Sequence, residues 1–176
     1  MSAIQTLDLT APAGAIISPC LDYRYALWRI WDRTRPLALY LGLNPSTATA
    51  NVVDATLRQC MMFSAAFGFG GTLMGNLFGY RTKHPRLMRR ASDPVGPDND
   101  EWLLRLGLEA KMVIAAWGAN GGFMGRDRIV LEMFPEVYCL KVTGSGHPHH
   151  PLYLKKETRP IPYYSSLSLR ELRPAA

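Results

Sequence analysis

Apolar residues gather in short runs along this chain, and most runs stop at a polar or glycine-bearing segment. "YRYALWRIW", Tyr23–Trp31, alternates, with Tyr23, Tyr25, Leu27, Arg29 and Trp31 on one side. A period of two rich in aromatics predicts a strand. "DRTRP", Asp32–Pro36, predicts a turn. "LALYLGL", Leu37–Leu43, is the continuous apolar run of a strand buried on both faces. The opening is therefore expected to be a hairpin feeding the interior of a sheet. "DATLRQCMMFSAAFGF", Asp54–Phe69, places apolar residues near helical spacing and predicts a helix, stopped by the glycines at Gly68–Gly71. "TLMGNLFGY", Thr72–Tyr80, predicts the next strand. Ser92–Ala110 reads as a loop and then a helix, with Asp98 or Asn99 as N-cap. "KMVIAAWG" predicts a buried strand, "RDRIVLEMF" a helix, "VYCLKVT" a strand, and "GSGHPHHPLYL" a loop.

Strands that alternate with helices predict a three-layer α/β/α sandwich with a mostly parallel central sheet. The expected organisation is one domain over residues 1–176, with a loose arm or edge strand at about 1–20 and an irregular tail at about 155–176. In such sheets ligands sit beyond the carboxyl ends of the strands. The out-of-place polar residues fall at those ends: Asn44 after the first buried strand, Asn76–Arg81 after the second, Gly118–Gly122 after the third and Thr143–His150 after the fourth. Four strand ends are expected to converge on one crevice.

Composition narrows the class. The chain is 48% hydrophobic, with a mean hydropathy of −0.05, ordinary for a globular protein. No apolar run reaches the length of a membrane span, and the N-terminus lacks the pattern of a secretion signal. Cys20, Cys60 and Cys139 lie far apart and form no metal-spaced pair, so they are expected to be reduced thiols in a cytoplasmic protein. The net charge is +6, which points toward a polyanionic partner. The densest basic stretch, "YRTKHPRLMRR", Tyr80–Arg90, places Arg81, Lys83 and Arg86 along a phosphate backbone or on a solvated loop.

Each candidate has a bland reading beside the chemical one. Asn-Pro starts turns, and the Asn44 side chain then caps backbone. Asn76, between apolar residues, must find partners for a buried amide. "GANGG" lacks the spacing of a dinucleotide fingerprint and reads as a tight turn. His147, His149 and His150 are too close together for the usual three-ligand metal site, so no metal is expected.

The order of these pieces resembles the uracil-DNA glycosylase superfamily. "GLNPS", with Gly42, Leu43, Asn44, Pro45 and Ser46, is similar to that family's first motif, nearest the mismatch-specific uracil and thymine branch. "GNLFGYRTKHP" resembles its second strand and basic exit, "KMVIAAWGANGG" its third, and "VTGSGHPHHPLYL" its closing His-Pro motif and DNA-entering loop. The chain also resembles a family of small uncharacterised bacterial proteins that share Asn-Pro-Ser-Thr and Gly-His-Pro elements.

The resemblance implies a DNA glycosylase that cleaves the N-glycosidic bond of a flipped pyrimidine. Asn44 would orient water or contact the base, His147 would stabilise charge on the departing base, and Asn76 would read a base edge. Leu152 or Tyr153 would fill the gap in the stack, with His149 beside the DNA. Asp54 caps the following helix or assists as the base for water. Ser46, followed by the small Thr47, stands where the strict uracil branch carries a blocking tyrosine, so 5-substituted pyrimidines are expected substrates, in repair or in defence against phage with modified bases. Three scattered cysteines cannot supply the four ligands of the cluster found in the thermophile-type branch, and no cofactor is expected. The expected partner is DNA, bound by a monomer. A non-catalytic nucleic-acid-binding module, or a hydrolase of free nucleosides or nucleotides, would share the same pattern.

Overall fold

The computed structural model describes residues 6–46 and 48–165. It is a mixed α/β fold built on a seven-stranded sheet in the order β1-β2-β4-β3-β5-β6-β7. The strands are β1 (Ala13–Ile17), β2 (Arg24–Ile30), β3 (Leu37–Gly42), β4 (Gly71–Asn76), β5 (Ala110–Ala115), β6 (Glu136–Cys139) and β7 (Ile161–Ser165). The helices are α1 (Ala55–Ala66), α2 (Pro85–Met88), α3 (Asn99–Glu109) and α4 (Arg126–Leu131).

The sheet is parallel only at its centre. The pairings β3–β4, β3–β5 and β5–β6 are parallel, whereas β1–β2, β2–β4 and β6–β7 are antiparallel. This corrects the expected mostly parallel sheet. The expected hairpin is also corrected, because β4 lies between β2 and β3. The reason sits at Gly70. Its N–H donates to Pro36 O, and its own carbonyl accepts from the N–H groups of Trp31 and Asp32. A Cβ at Gly70 would stand 1.8 Å from Asp32 O. Only glycine lets β4 start inside the mouth of the Asp32–Pro36 turn and hold the two strands apart.

Burial follows the two-residue period of the strands. In β3, Leu39 and Leu41 join a cluster with Trp102, Leu103 and Leu106 of α3 and Val130 of α4. Their neighbours Ala38 and Tyr40 join a second cluster with Leu57, Cys60 and Phe63 of α1. Gly75 in β4 leaves room for α3, since a Cβ there would meet Leu103 at 2.6 Å. β2 is buried at every position, between β1 and β4, so its sequence alternation does not mark a solvated face.

The N-terminal end meets one of its two expectations, and the tail departs from its own. The arm contains β1, an edge strand paired antiparallel to β2. The tail is not wholly irregular: residues 161–165 form β7 against β6. Pro162 cannot donate to a ladder, which suits an outermost strand. The expected long strand at Val137–Thr143 stops at Cys139, and Val142 instead makes an isolated bridge with Pro148. Thr47 and residues 1–5 and 166–176 lie outside the described residues.

Candidate functional site

At the carboxyl ends of β3, β4 and β5, beside the amino end of β2, lies a cavity of about 460 Å³. Its apolar wall is Leu27, Leu57, Cys60, Met74 and Ala116. Polar groups reach it from separate elements, among them Arg24 of β2, Asn44 and Ser46 after β3, Asp54 before α1, Asn76 of β4, Lys83 before α2, and His150 in the loop after β6.

Gly42 and Asn76 fit together. They are register partners across β3 and β4, and a Cβ at Gly42 would come within 2.7 Å of Asn76 Oδ1. The glycine therefore gives the amide its place. Asn76 is 3% exposed. Its backbone carbonyl accepts from Asn99 Nδ2 at 3.0 Å, but its own Nδ2 has no hydrogen-bond partner among the described residues. A buried donor without a partner is costly and singles out the position.

Asn44 is engaged on one side. Its Nδ2 donates to Thr82 O at 2.8 Å and to Pro45 O at 3.2 Å, while Thr82 N–H donates to buried Pro45 O at 2.9 Å. This double tie couples the β3 exit to the β4 exit. It leaves Asn44 Oδ1 as the side-chain atom available toward the cavity.

Asp54 is the helix cap expected of it. Oδ1 accepts from Leu57 N–H at 2.8 Å, an N-cap of α1. Oδ2 accepts from Ser46 Oγ at 2.9 Å. The carboxylate is thus oriented by a helix end and by the Asn-Pro-Ser loop together, and both Asp54 and Ser46 line the cavity.

The histidines are arranged otherwise than expected. His150 lines the cavity, and His147 is not among the lining residues. His147 closes a turn: its N–H donates to Thr143 Oγ1 at 3.1 Å, and its carbonyl accepts from Thr143 N–H at 2.8 Å. His150 shares the cavity with Asp54, near enough for their charges to interact. His150 Nδ1 accepts from Leu152 N–H at 3.3 Å, which leaves Nε2 protonated in the neutral ring. Burial holds its pKa below the ordinary value, the neighbouring His149 adds to that, and Asp54 opposes both.

Of the other expected residues, Gly42, Leu43, Lys83 and Tyr153 line the cavity, whereas Arg81, Arg86, His149 and Leu152 do not. Arg81 acts as a strut: its Nη1 donates to Leu21 O at 2.7 Å, and its N–H to Asp22 O at 2.8 Å. Arg86 is exposed on α2. His149 Nδ1 lies 3.0 Å from His150 O. Leu152 and Tyr153 are both exposed, on a short 3-10 turn. The Gly118–Gly122 segment starts as a tight turn with Gly118 at φ +72°, and Trp117 packs over Gly121.

Arg24 was not among the expected site residues. It is 4% exposed. Its Nη1 donates to Ala48 O, while Nε has no partner among the described residues. Burial lowers its pKa to about 10, partly offset by Asp54, so it stays charged at neutral pH. The signal for it in the sequence is a charge at the head of a largely apolar strand.

Among the described residues no helix is long and apolar enough to cross a membrane, and no three His, Cys, Asp or Glu residues gather as a metal-binding group. No curated protein and no solved structure matches the chain. The model of the family described as protein of unknown function, DUF1643, matches residues 24–152. That span runs from Arg24 through the Asn-Pro loop and Asp54 to the turn after His150, so it takes in the cavity's polar groups, and the chain belongs to the DUF1643 family.

Proposed function

We propose that this protein is a DNA glycosylase-like hydrolase, acting as a cytoplasmic monomer on a flipped pyrimidine base. In this reading its fold is a three-layer α/β/α sandwich of the uracil-DNA glycosylase kind. One observation carries the reading above the rest. A carboxylate fixed by two hydrogen bonds, Asp54, shares a cavity at the strand ends with the buried, unpartnered amide of Asn76.

Cleaving an N-glycosidic bond leaves positive charge on the sugar and negative charge on the departing base. Asp54 takes the proton of an attacking water that Asn44 Oδ1 helps to orient. Asp54 suits that proton transfer better than Asn44, because an amide is a poor base. Asn76 reads the edge of the base with its free Nδ2. His150, rather than His147, is placed to donate from Nε2. Ser46 is small and leaves the 5-position of a pyrimidine unobstructed, which favours 5-substituted or modified bases. Lys83 and Arg86 lie on the β4 exit, where a phosphate backbone would pass.

The test is base release. Single- and double-stranded oligonucleotides bearing uracil, mismatched thymine or 5-substituted pyrimidines are incubated with the protein and scored for abasic sites. Release from at least one, lost in Asp54→Asn, is expected. Salt-dependent binding with no abasic site from any substrate would make the chain a binding module and end the hydrolase reading. Cleavage of free nucleosides alone would move the reaction off DNA.

A further inference from the structure

Arg24 is a buried cation with no ion-pair partner among the described residues, and Asp54 acts on its charge only from a distance. The ion pairs among the described residues are Arg35–Asp32, Arg105–Glu101 and Arg126–Asp100, and Arg24 belongs to none of them. Its Nε–H is sealed from solvent and donates to nothing among the described residues. A charge in that position is unfavourable unless an opposite charge joins it. Asn76 Nδ2 is in the same condition in the same cavity. Arg24, Asn76 and Trp117, each more than nine-tenths buried, each with an unpartnered donor and all lining one cavity, describe a receptor for an acceptor that the described residues do not supply.

We infer that Arg24 and Asn76 form an anion-receiving floor, and that the ligand is a planar heterocycle carrying negative charge. The inference rests on the glycosylase reading and deepens it: the anion is the departing base. The apolar wall of Leu27, Leu57, Cys60 and Met74 suits the faces of a ring and disfavours a fully hydrated phosphate. As the bond from the sugar C1′ to the base nitrogen breaks, its electron pair leaves on the base and spreads to the ring carbonyl oxygens. Arg24 and Asn76 donate to that charge. Water forms the new bond to C1′ and loses its proton to Asp54. The base later takes a proton from solvent. Stabilisation by a fixed cation is larger for the departing anion than for the neutral base in the substrate, which is the condition for catalysis.

The experiment needs no turnover. Barbiturate, a pyrimidine that is anionic at neutral pH, is compared with uracil, which is neutral, and with inorganic phosphate, by calorimetry on the intact protein. Barbiturate is expected to bind at least about tenfold more tightly than uracil, as a charge-assisted hydrogen bond implies. Arg24→Met is expected to abolish that preference and Arg24→Lys to keep part of it. Arg24 also holds Ala48 O, so Arg24→Met is first checked for folding. Should it fail to fold, Asn76→Asp, which removes a donor and adds a negative charge at the same size, is expected to reverse the preference. Equal affinity for barbiturate and uracil overturns the inference. So does a preference that survives both substitutions, or phosphate bound as tightly as barbiturate. Barbiturate preference in a protein that releases no base would refute the glycosylase reading and leave the anion floor standing. Base release without the preference would do the reverse.

Discussion

Asp54 carries two loads, and a pair of substitutions separates them. Its Oδ1 caps α1 through Leu57 N–H, and its Oδ2 holds Ser46 Oγ. Asp54→Ala removes both bonds. Losing an N-cap to alanine costs about 1 kcal/mol, and a hydrogen bond to a charged acceptor in a half-buried site is worth about 1 kcal/mol more. For a chain of this size about 2 kcal/mol lowers Tm by about 4–8 °C. Asp54→Asn is different. Asparagine caps helices as well as aspartate does, and its amide nitrogen can donate to Ser46 Oγ in place of the present bond. Its Tm is expected to lie within about 2 °C of the parent. Its base-release rate is expected to fall about 10²–10⁴-fold, the range of a lost general base. Calorimetric melting and the abasic-site assay, run on the same preparations, measure the two effects. Full activity in Asp54→Asn would remove the carboxylate from the chemistry. An unchanged Tm in Asp54→Ala would show that the cap contributes nothing.

Three further outcomes follow from the geometry. Replacing Lys83 and Arg86 together is expected to flatten the dependence of DNA affinity on salt by about one to two counterions, whereas Arg81→Ala is expected to lower Tm through the lost tie to Leu21; an unchanged salt slope in the double variant would make those two side chains bystanders. Leu21 is 66% exposed and held at φ +67°, so Leu21→Gly is expected to stabilise the fold by about 1 kcal/mol in chemical denaturation, and a loss of stability would contradict the strain. Because burial and His149 depress the pKa of His150 below 6.5, the unfolded chain takes up a proton there before the native protein does; stability is therefore expected to fall as pH drops from about 6.5 through the lower native value, and the Tm–pH curve of His150→Gln is expected to run flatter in that window.

Local chemistry made much of the fold legible. The apolar run at Leu37–Leu43, the helix after Asp54 and the glycine stop at Gly68 are each decided by residues within one or two turns of themselves. Strand order is not decided that way. Nothing within Tyr23–Leu43 excludes a hairpin, and the segment that prevents it, Gly70–Gly71, lies more than thirty residues downstream of the turn it enters. β7 escaped notice for a related reason. Pro160 and Pro162 read as an irregular tail, yet an outermost strand needs ladder bonds on one side only.

The site divides along the same line. Asn44, Ser46, Asp54 and Asn76 were legible because each sits where an apolar run ends or a helix begins, and those junctions face one rim in a sheet with a parallel centre. The histidine was not. Hydrogen bonds between Thr143 and His147 close a turn, His147 stays out of the lining, and His150, three residues further on, lines the cavity in its stead. A shift of a few residues in a loop changes which side chain enters a cavity, because no ladder fixes its register. Arg24 was hidden by a different rule. β2 runs antiparallel to β4, so it is the start of that strand, not its end, that reaches the rim. Arg24 therefore lies outside the rule that places sites at the carboxyl ends of strands, although this antiparallel strand is what brings a buried positive charge into a cavity that also holds amides, a carboxylate, His150 and Lys83.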